Sequence, residues 1–144
     1  MKKIIAVIIS ALMLLSCLLV YADNEPYLND PFYEQMWHYD AVKAHAFRDN
    51  GIDGRGVKVG IIDSGLTKEL DKFPEFWDFD GVDIQTGINV CAKLDKNDEL
   101  LYDTSDNGYH GTSVASIICA KANNEYGIAG LADGCTIIPY KIED

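Results

Sequence analysis

Val57-Lys58-Val59-Gly60-Ile61-Ile62 is almost continuously apolar and β-branched, and it stops abruptly at Asp63-Ser64-Gly65. That pattern suits a strand buried on both faces, as in a parallel sheet, and so demands covering layers from the rest of the chain. From His110 onward the small and apolar residues Val114, Ala115, Ile117, Ile118 and Ala122 recur at helical spacing, which predicts a well-buried helix ending near Asn123-Asn124. Gly127 to Gly134 reads as a turn region, and Thr136 to Ile142 as a second buried strand, although Pro139 removes one ladder donor from its centre. Strand, long connection, helix, strand is the start of an α/β layered fold.

The flanking segments are less regular. Asp23 to Gln35 holds Pro26 and Pro31 and reads as an extended arm laid on the domain. Asp40 has the position of an N-cap for a helix through Asn50, with Val42, Ala46 and Phe47 on one side, His45 on the surface and Gly51 closing it. Gly51, Gly54 and Gly56 form a turn before the first strand. Thr67 to Asn107 is mostly loop, with a short strand near Ile88 to Leu94, and a connection of that size usually carries function or an insertion.

Lys2-Lys3 followed by the apolar run Ile4 to Val20 is a positive n-region and an h-region, and Val20-Tyr21-Ala22 offers the small residues of a signal-peptidase site. Export with cleavage after Ala22 is expected, leaving Asp23 first. The competing readings are an uncleaved anchor, for which the run is short, and a lipoprotein signal ending Leu14-Leu15-Ser16-Cys17, which would lipidate Cys17. Removal of the leader changes the formal charge from −11 to −13. Such acidity argues against nucleic acid or an anionic membrane as partner and leaves the N-terminal segment as the only membrane contact. Cys91, Cys119 and Cys135 remain, an odd number without metal-ligand spacing, and read as small buried hydrophobes with at most one disulfide among them.

Asp63 sits where an apolar strand meets a Ser-Gly turn, so its carboxylate belongs at the carboxyl edge of the sheet, where open α/β folds place their active sites. An Asp that merely caps the turn is the plain alternative. His110 follows the turn residues Asp106-Asn107-Gly108 and opens a helix, whose dipole disfavours the imidazolium and keeps the ring able to accept a proton. A partner carboxylate would fix its tautomer, and Asp63 is the candidate.

These segments resemble the subtilisin-like serine peptidases (subtilases). Val59-Gly60-Ile61-Ile62-Asp63-Ser64-Gly65 is similar to the family's aspartate motif, and His110-Gly111-Thr112-Ser113-Val114-Ala115-Ser116 to its histidine motif. Gly127-Ile128-Ala129-Gly130-Leu131-Ala132 with Cys135 to Lys141 resembles the segment that follows the histidine helix. Asn29-Asp30-Pro31 with Tyr33, Gln35 and Trp37 resembles the arm before the first core helix. The likeness runs in collinear order from about Asn29 to Ile142.

The resemblance implies a secreted endopeptidase acting on polypeptides through an Asp-His-Ser triad, with Asp63 and His110 as its catalytic acid and base. The implied fold is α/β, three-layered, with a mostly parallel sheet flanked by helices, incomplete in this chain: residues 1–22 signal, 23–38 arm, 39–144 the N-terminal part of the peptidase domain. No Gly-Thr-Ser-x-Ala nucleophile segment and no oxyanion asparagine follow His110. Ser113, three residues beyond His110 on the same helix, is no substitute. Without the serine there is no acyl-enzyme, and the missing oxyanion donor is worth roughly 3 kcal/mol of transition-state stabilisation. The chain alone is expected to be inactive, and a remnant that at most binds another polypeptide is the alternative reading.

No cofactor is required for the implied catalysis. Structural calcium is a frequent companion of the family, but its ligands and any metal site stay unassigned by these residues. Asp103-Thr104-Ser105-Asp106-Asn107-Gly108 opens like a helical-hand calcium loop, but Val114 stands where a bidentate Glu is needed. Gly54-Arg55-Gly56 with Gly60 precedes its strand instead of following it, so the dinucleotide reading fails. Trp37, Phe73, Phe76, Trp77 and Phe79 are read as loop packing, and His38 as structural.

Overall fold

The computed structural model describes residues 5, 7–14, 27–67, 77–91 and 102–143. The β-branched run becomes strand β1 (Lys58–Asp63), and the second expected strand becomes β4 (Thr136–Lys141). Between them lie the short strands β2 (Asp83–Ile84) and β3 (Ile88–Asn89). β4 is central: β1 pairs with it on one side, from Lys58↔Thr136 to Asp63↔Lys141, and β2 and β3 pair with its two ends on the other. Every pairing is parallel, so the chain is α/β with a parallel sheet and flanking helices.

Pro139 is tolerated in a central strand because of that split edge. Thr136 and Ile142 donate their amides to Val57 and Asp63, whereas the carbonyls of Ile137 and Lys141 accept from Gln85 and Val90. Strand alternation therefore turns the Pro139 position, which has no N–H, toward the break between β2 and β3. Gly87 sits in that break, where any Cβ would collide with the carbonyl and ring of Pro139.

The helices are α1 (Trp37–Ala41), α2 (Ala44–Arg48) and α3 (His110–Cys119). The single helix expected over Asp40 to Asn50 is broken by Lys43, held left-handed at φ 57°, and Asp40 lies inside α1 instead of capping. Ala44 is the residue buried there, while Val42 and Phe47 are exposed. His45 is half-buried among the rings of Tyr27, Tyr33 and Tyr39, not simply on the surface. Arg48 ties α2 down by donating to Asp133 (2.5 Å), the Gly130 carbonyl and the Tyr39 hydroxyl.

α3 ends sooner than its apolar periodicity suggested, because Gly130, Leu131 and Ala132 donate their amides to the carbonyls of Ala120, Ile117 and Ile118. Those bonds satisfy the orphan acceptors of the last turn. Gly130 makes the approach feasible, since a Cβ there would strike the backbone of Cys119 and Ala120. The buried stripe of α3 is Gly111, Thr112, Ala115, Ser116 and Cys119, small residues that let the helix lie close to the sheet, while Ile117 is exposed.

The core over β1 and β4 gathers Ile61, Leu66, Trp77, Phe79, Val82, Ala115, Cys119, Cys135 and Ile137. A second cluster joins the arm to α1 and the 122–129 segment through Leu28, Met36, Tyr39, Ala44, Ala122 and Ala129. The expectation of burial on both faces of β1 is met on one only: Ile61 is buried, and Ile62 is 67% exposed. Cys119 and Cys135 are buried free thiols, as read, and burial pushes Cys119 up to about 12. Residues 5 and 7–14 are helical, and among the described residues no helix is long and apolar enough to cross a membrane. Cys17, Ala22, Asp23, Phe73 and Phe76 lie outside the described residues.

Candidate active site

β1 carries Asp63 to the carboxyl end of the sheet, and the Ser64-Gly65 turn then swings the chain against the segment before α3, where Leu66 donates its amide to the Thr104 carbonyl (2.8 Å). Gly65, at φ 121°, leaves no room for a Cβ beside that carbonyl. From the other side Tyr109, left-handed at φ 61°, turns the chain into α3 so that His110 is its first residue. Gly111 lies against the Gly65 carbonyl, and a side chain there would drive helix and strand apart. The outcome is a hydrogen bond of 2.7 Å between His110 Nδ1 and Asp63 Oδ1.

The two residues singled out in the sequence are thus brought together, 47 positions apart in the chain. Asp63 Oδ1 also accepts the Ser64 amide at 2.7 Å. The His110 bond first, and that amide second, hold the Asp63 carboxyl below the usual carboxylate range. The same bond raises His110 above 6.5, with Asp106 and Glu143 adding smaller attractions. A carboxylate in direct contact thus acts on His110 in the opposite sense to the partial charge of the helix end. The Asp63 side chain is 19% exposed and that of His110 75%, so solvent weakens the pair's attraction.

Asp106 was read as one residue of a turn and is much more. It is 4% exposed. Oδ1 accepts from Gly108 N (3.0 Å), Tyr109 N (2.7 Å) and Ser64 Oγ (2.9 Å), and Oδ2 from Thr112 N (2.8 Å) and Thr112 Oγ1 (2.6 Å). Burial works against its charge, but these donors prevail and its carboxyl lies below the ordinary range. Asp-Asn-Gly just before a helix was the available signal, since an Asp there bonds the amides that follow it.

Neither neighbouring serine is free to attack. Ser113 Oγ donates to the Tyr109 carbonyl at 2.7 Å, and Ser64 Oγ is enclosed by Asp63, Asp106 and the Gly111 amide. A cleft of about 350 Å³ opens beside His110, lined by Ser64, Asn107, Gly108, Lys141 and Glu143. Lys141, 5% exposed, donates to the Ser105 carbonyl at 2.9 Å. His110 can therefore exchange a proton with a group entering the cleft while Asp63 holds its far nitrogen.

Among the described residues no three of His, Cys, Asp and Glu converge on a metal-sized site. Two buried carboxylates do meet at Asn124, however. Asp30 accepts the amides of Asn123 (3.0 Å) and Asn124 (3.4 Å), and Asp78 accepts the Asn124 side-chain amide. They are 4% and 3% exposed, and among the described residues neither carries an ion-pair partner. Buried carboxylates without a cation are costly, and hard oxygen donors of this kind suit calcium.

Residues 54–144 match the sequence profile of the subtilase family, peptidase S8. The extracellular basic protease of Dichelobacter nodosus is 32% identical over 136 residues, covering 79% of this chain and 22% of that protein. Proprotein convertase subtilisin/kexin type 6 of Rattus norvegicus is 28% identical over 117 residues, covering 74% and 12%. The chain therefore spans about a fifth or less of the curated relatives it matches. Among solved structures, a protease of Pseudoalteromonas arctica superposes with a TM-score of 0.60 at 23% identity, over 81% of this chain and 39% of that one, a likeness of fold.

Proposed function

The chain belongs to the subtilase family, and on that premise we propose that Asp63 and His110 are the acid and base of a serine endopeptidase triad. Its nucleophile is not among these 144 residues. The observation that carries the reading is the 2.7 Å bond between Asp63 and His110 Nδ1, made at a strand's carboxyl end beside an open cleft. In the reaction, His110 takes the serine proton at Nε2 as the hydroxyl attacks the peptide carbonyl, and returns it to the leaving amine. Asp63 fixes the tautomer and stabilises the imidazolium formed between those steps. Peptide-bond hydrolysis by acyl transfer follows, on polypeptide substrates.

Treating the secreted protein, at its natural size, with a fluorophosphonate probe tests this. Covalent labelling that disappears in His110→Ala is expected. A stable 16 kDa species that never labels would instead support the second reading, a catalytically inactive polypeptide-binding remnant, which rests on the engagement of Ser64 and Ser113 elsewhere.

Export is supported by the basic and apolar leader and by a relative named as extracellular. Mass spectrometry of the secreted form should find Asp23 at its N-terminus; an intact leader, or lipid on Cys17, would replace that reading by an anchored one. Calcium, where bound beside Asp30 or Asp78, would supply only charge compensation and rigidity, with no part in the proton transfers.

A further inference from the structure

Ser64 has one hydroxyl proton and faces two carboxylates. Its Oγ lies 2.9 Å from Asp106 Oδ1 and 3.2 Å from Asp63 Oδ1, and it accepts the Gly111 amide at 3.0 Å. A hydroxyl donates once, so only one aspartate can receive that proton. Distance favours Asp106. Environment favours it too, because Asp106 is the more deeply buried of the two, and a charge-assisted bond is stronger where the local dielectric is low.

We propose that Asp106 is a positioning residue for the Asp63–His110 pair: it holds the Ser64 proton, so that Ser64 fastens the first turn of α3 to the end of β1 while Asp63 keeps His110 as its one side-chain donor. Strand end and helix start are also joined by the Asp63–His110 bond itself, by the Thr67 amide donating to Thr112 Oγ1 (3.2 Å) and by the close approach of Gly65 and Gly111. With its proton committed to Asp106, Ser64 presents a lone pair to the Gly111 amide, the residue next to His110. Were the proton on Asp63 instead, that carboxylate would be partly neutralised by a third donor and would hold the imidazolium less well.

The groups that face His110 are Asp63 from β1, Asp106 from the turn before α3, and Glu143 beyond β4, with Lys141 lining the same cleft. The inference rests on reading Asp63 and His110 as the acid–base pair. Its test follows the imidazole and not peptide hydrolysis, so the two can fail separately.

The chain has three histidines, and their titration by NMR in the whole chain resolves the matter, with His110 assigned by its loss in His110→Gln. In Ser64→Ala the His110 midpoint should not rise, since the lost proton was never on Asp63, and the loss of the bond to the Gly111 amide can only loosen the pair. A midpoint that rises would mean that Ser64 had been donating to Asp63, and would overturn the proposal. In Asp106→Asn the midpoint should fall, because Ser64 turns its proton to Asp63 once its charged acceptor is gone. That fall should be smaller in the Ser64→Ala background, where only the through-space loss of charge remains. An equal fall in both backgrounds would show that Asp106 acts without Ser64 and would also overturn it. Asparagine places an amide against the Thr112 donors; if that variant does not fold, the Ser64→Ala titration decides alone.

Discussion

At the scale of single residues, the 2.7 Å contact between Asp63 and His110 fixes the pH behaviour of the site. His110 is raised above 6.5 and Asp63 lowered below 3.8. The His110 contribution to stability is full below 6.5 and fades as pH climbs through its higher folded value. The Asp63 contribution is full above 3.8 and fades as pH falls through its lower folded value. The difference in urea midpoint between the native chain and Asp63→Asn should therefore be widest between these limits and shrink on either side, and it should be small because His110 is exposed. In the same variant the His110 midpoint, read by NMR, should drop, since the carboxylate bonded to Nδ1 is gone and only the weaker attractions of Asp106 and Glu143 remain. A base must be unprotonated to act, so in a complete triad of the kind proposed activity should rise with pH as His110 loses its proton. Both members of the pair were legible in the sequence, because a strand end and a helix start are local patterns. Asp106 was not, because one of its five donors comes from Ser64, 42 residues away, and the others become donors to it only once the helix has started.

At the scale of elements, the site depends on how closely α3 and β1 approach. The buried stripe of α3 is built of small side chains, and Gly111 is the tightest point, against backbone that cannot yield. Gly111→Ala should cost about 1–3 kcal/mol by overpacking, seen as a lower urea midpoint, and should lower the His110 midpoint by lengthening its bond to Asp63. Of the apolar residues that pointed to this helix, Ala115 is buried, Val114 and Ile118 pack partly buried against the core, and Ile117 is exposed, because a sheet packed at short range selects small residues for the closest positions. Lys43 shows the complementary limit of sequence reading. Nothing in Asp40 to Asn50 marks a break, yet Lys43 adopts φ 57° and ψ 42° between α1 and α2. Lys43→Gly should relieve about 0.5–1 kcal/mol of left-handed strain, raising the thermal midpoint without altering the His110 titration.

At the scale of the whole molecule, the sheet and α3 place the acid–base pair, while a second cluster fastens the N-terminal arm to the far end of α3. The arm was read as extended because of its prolines. Its described part instead turns through Tyr33–Gln35 and buries Leu28 and Asp30, because Asn123 and Asn124 offer backbone amides that an extended arm would not reach. Asp30 from the arm, Asp78 from the loop before β2 and Asn124 from the connection after α3 thus meet, in a chain of net charge −11. Each carboxylate is buried and, among the described residues, held by amide donors without an ion-pair partner, so a cation bound beside either would stabilise the junction. If calcium is held there, chelation should loosen the arm. The thermal midpoint of the whole chain should then rise with added calcium and fall in EGTA, with a dependence on free calcium that follows simple saturation. Asp78→Asn, which removes one charge and keeps the side chain's size, should abolish the calcium response and raise the midpoint measured in EGTA. A midpoint indifferent to calcium in the native chain would show that the amides of Asn123 and Asn124 and the side chain of Asn124 suffice to hold both carboxylates.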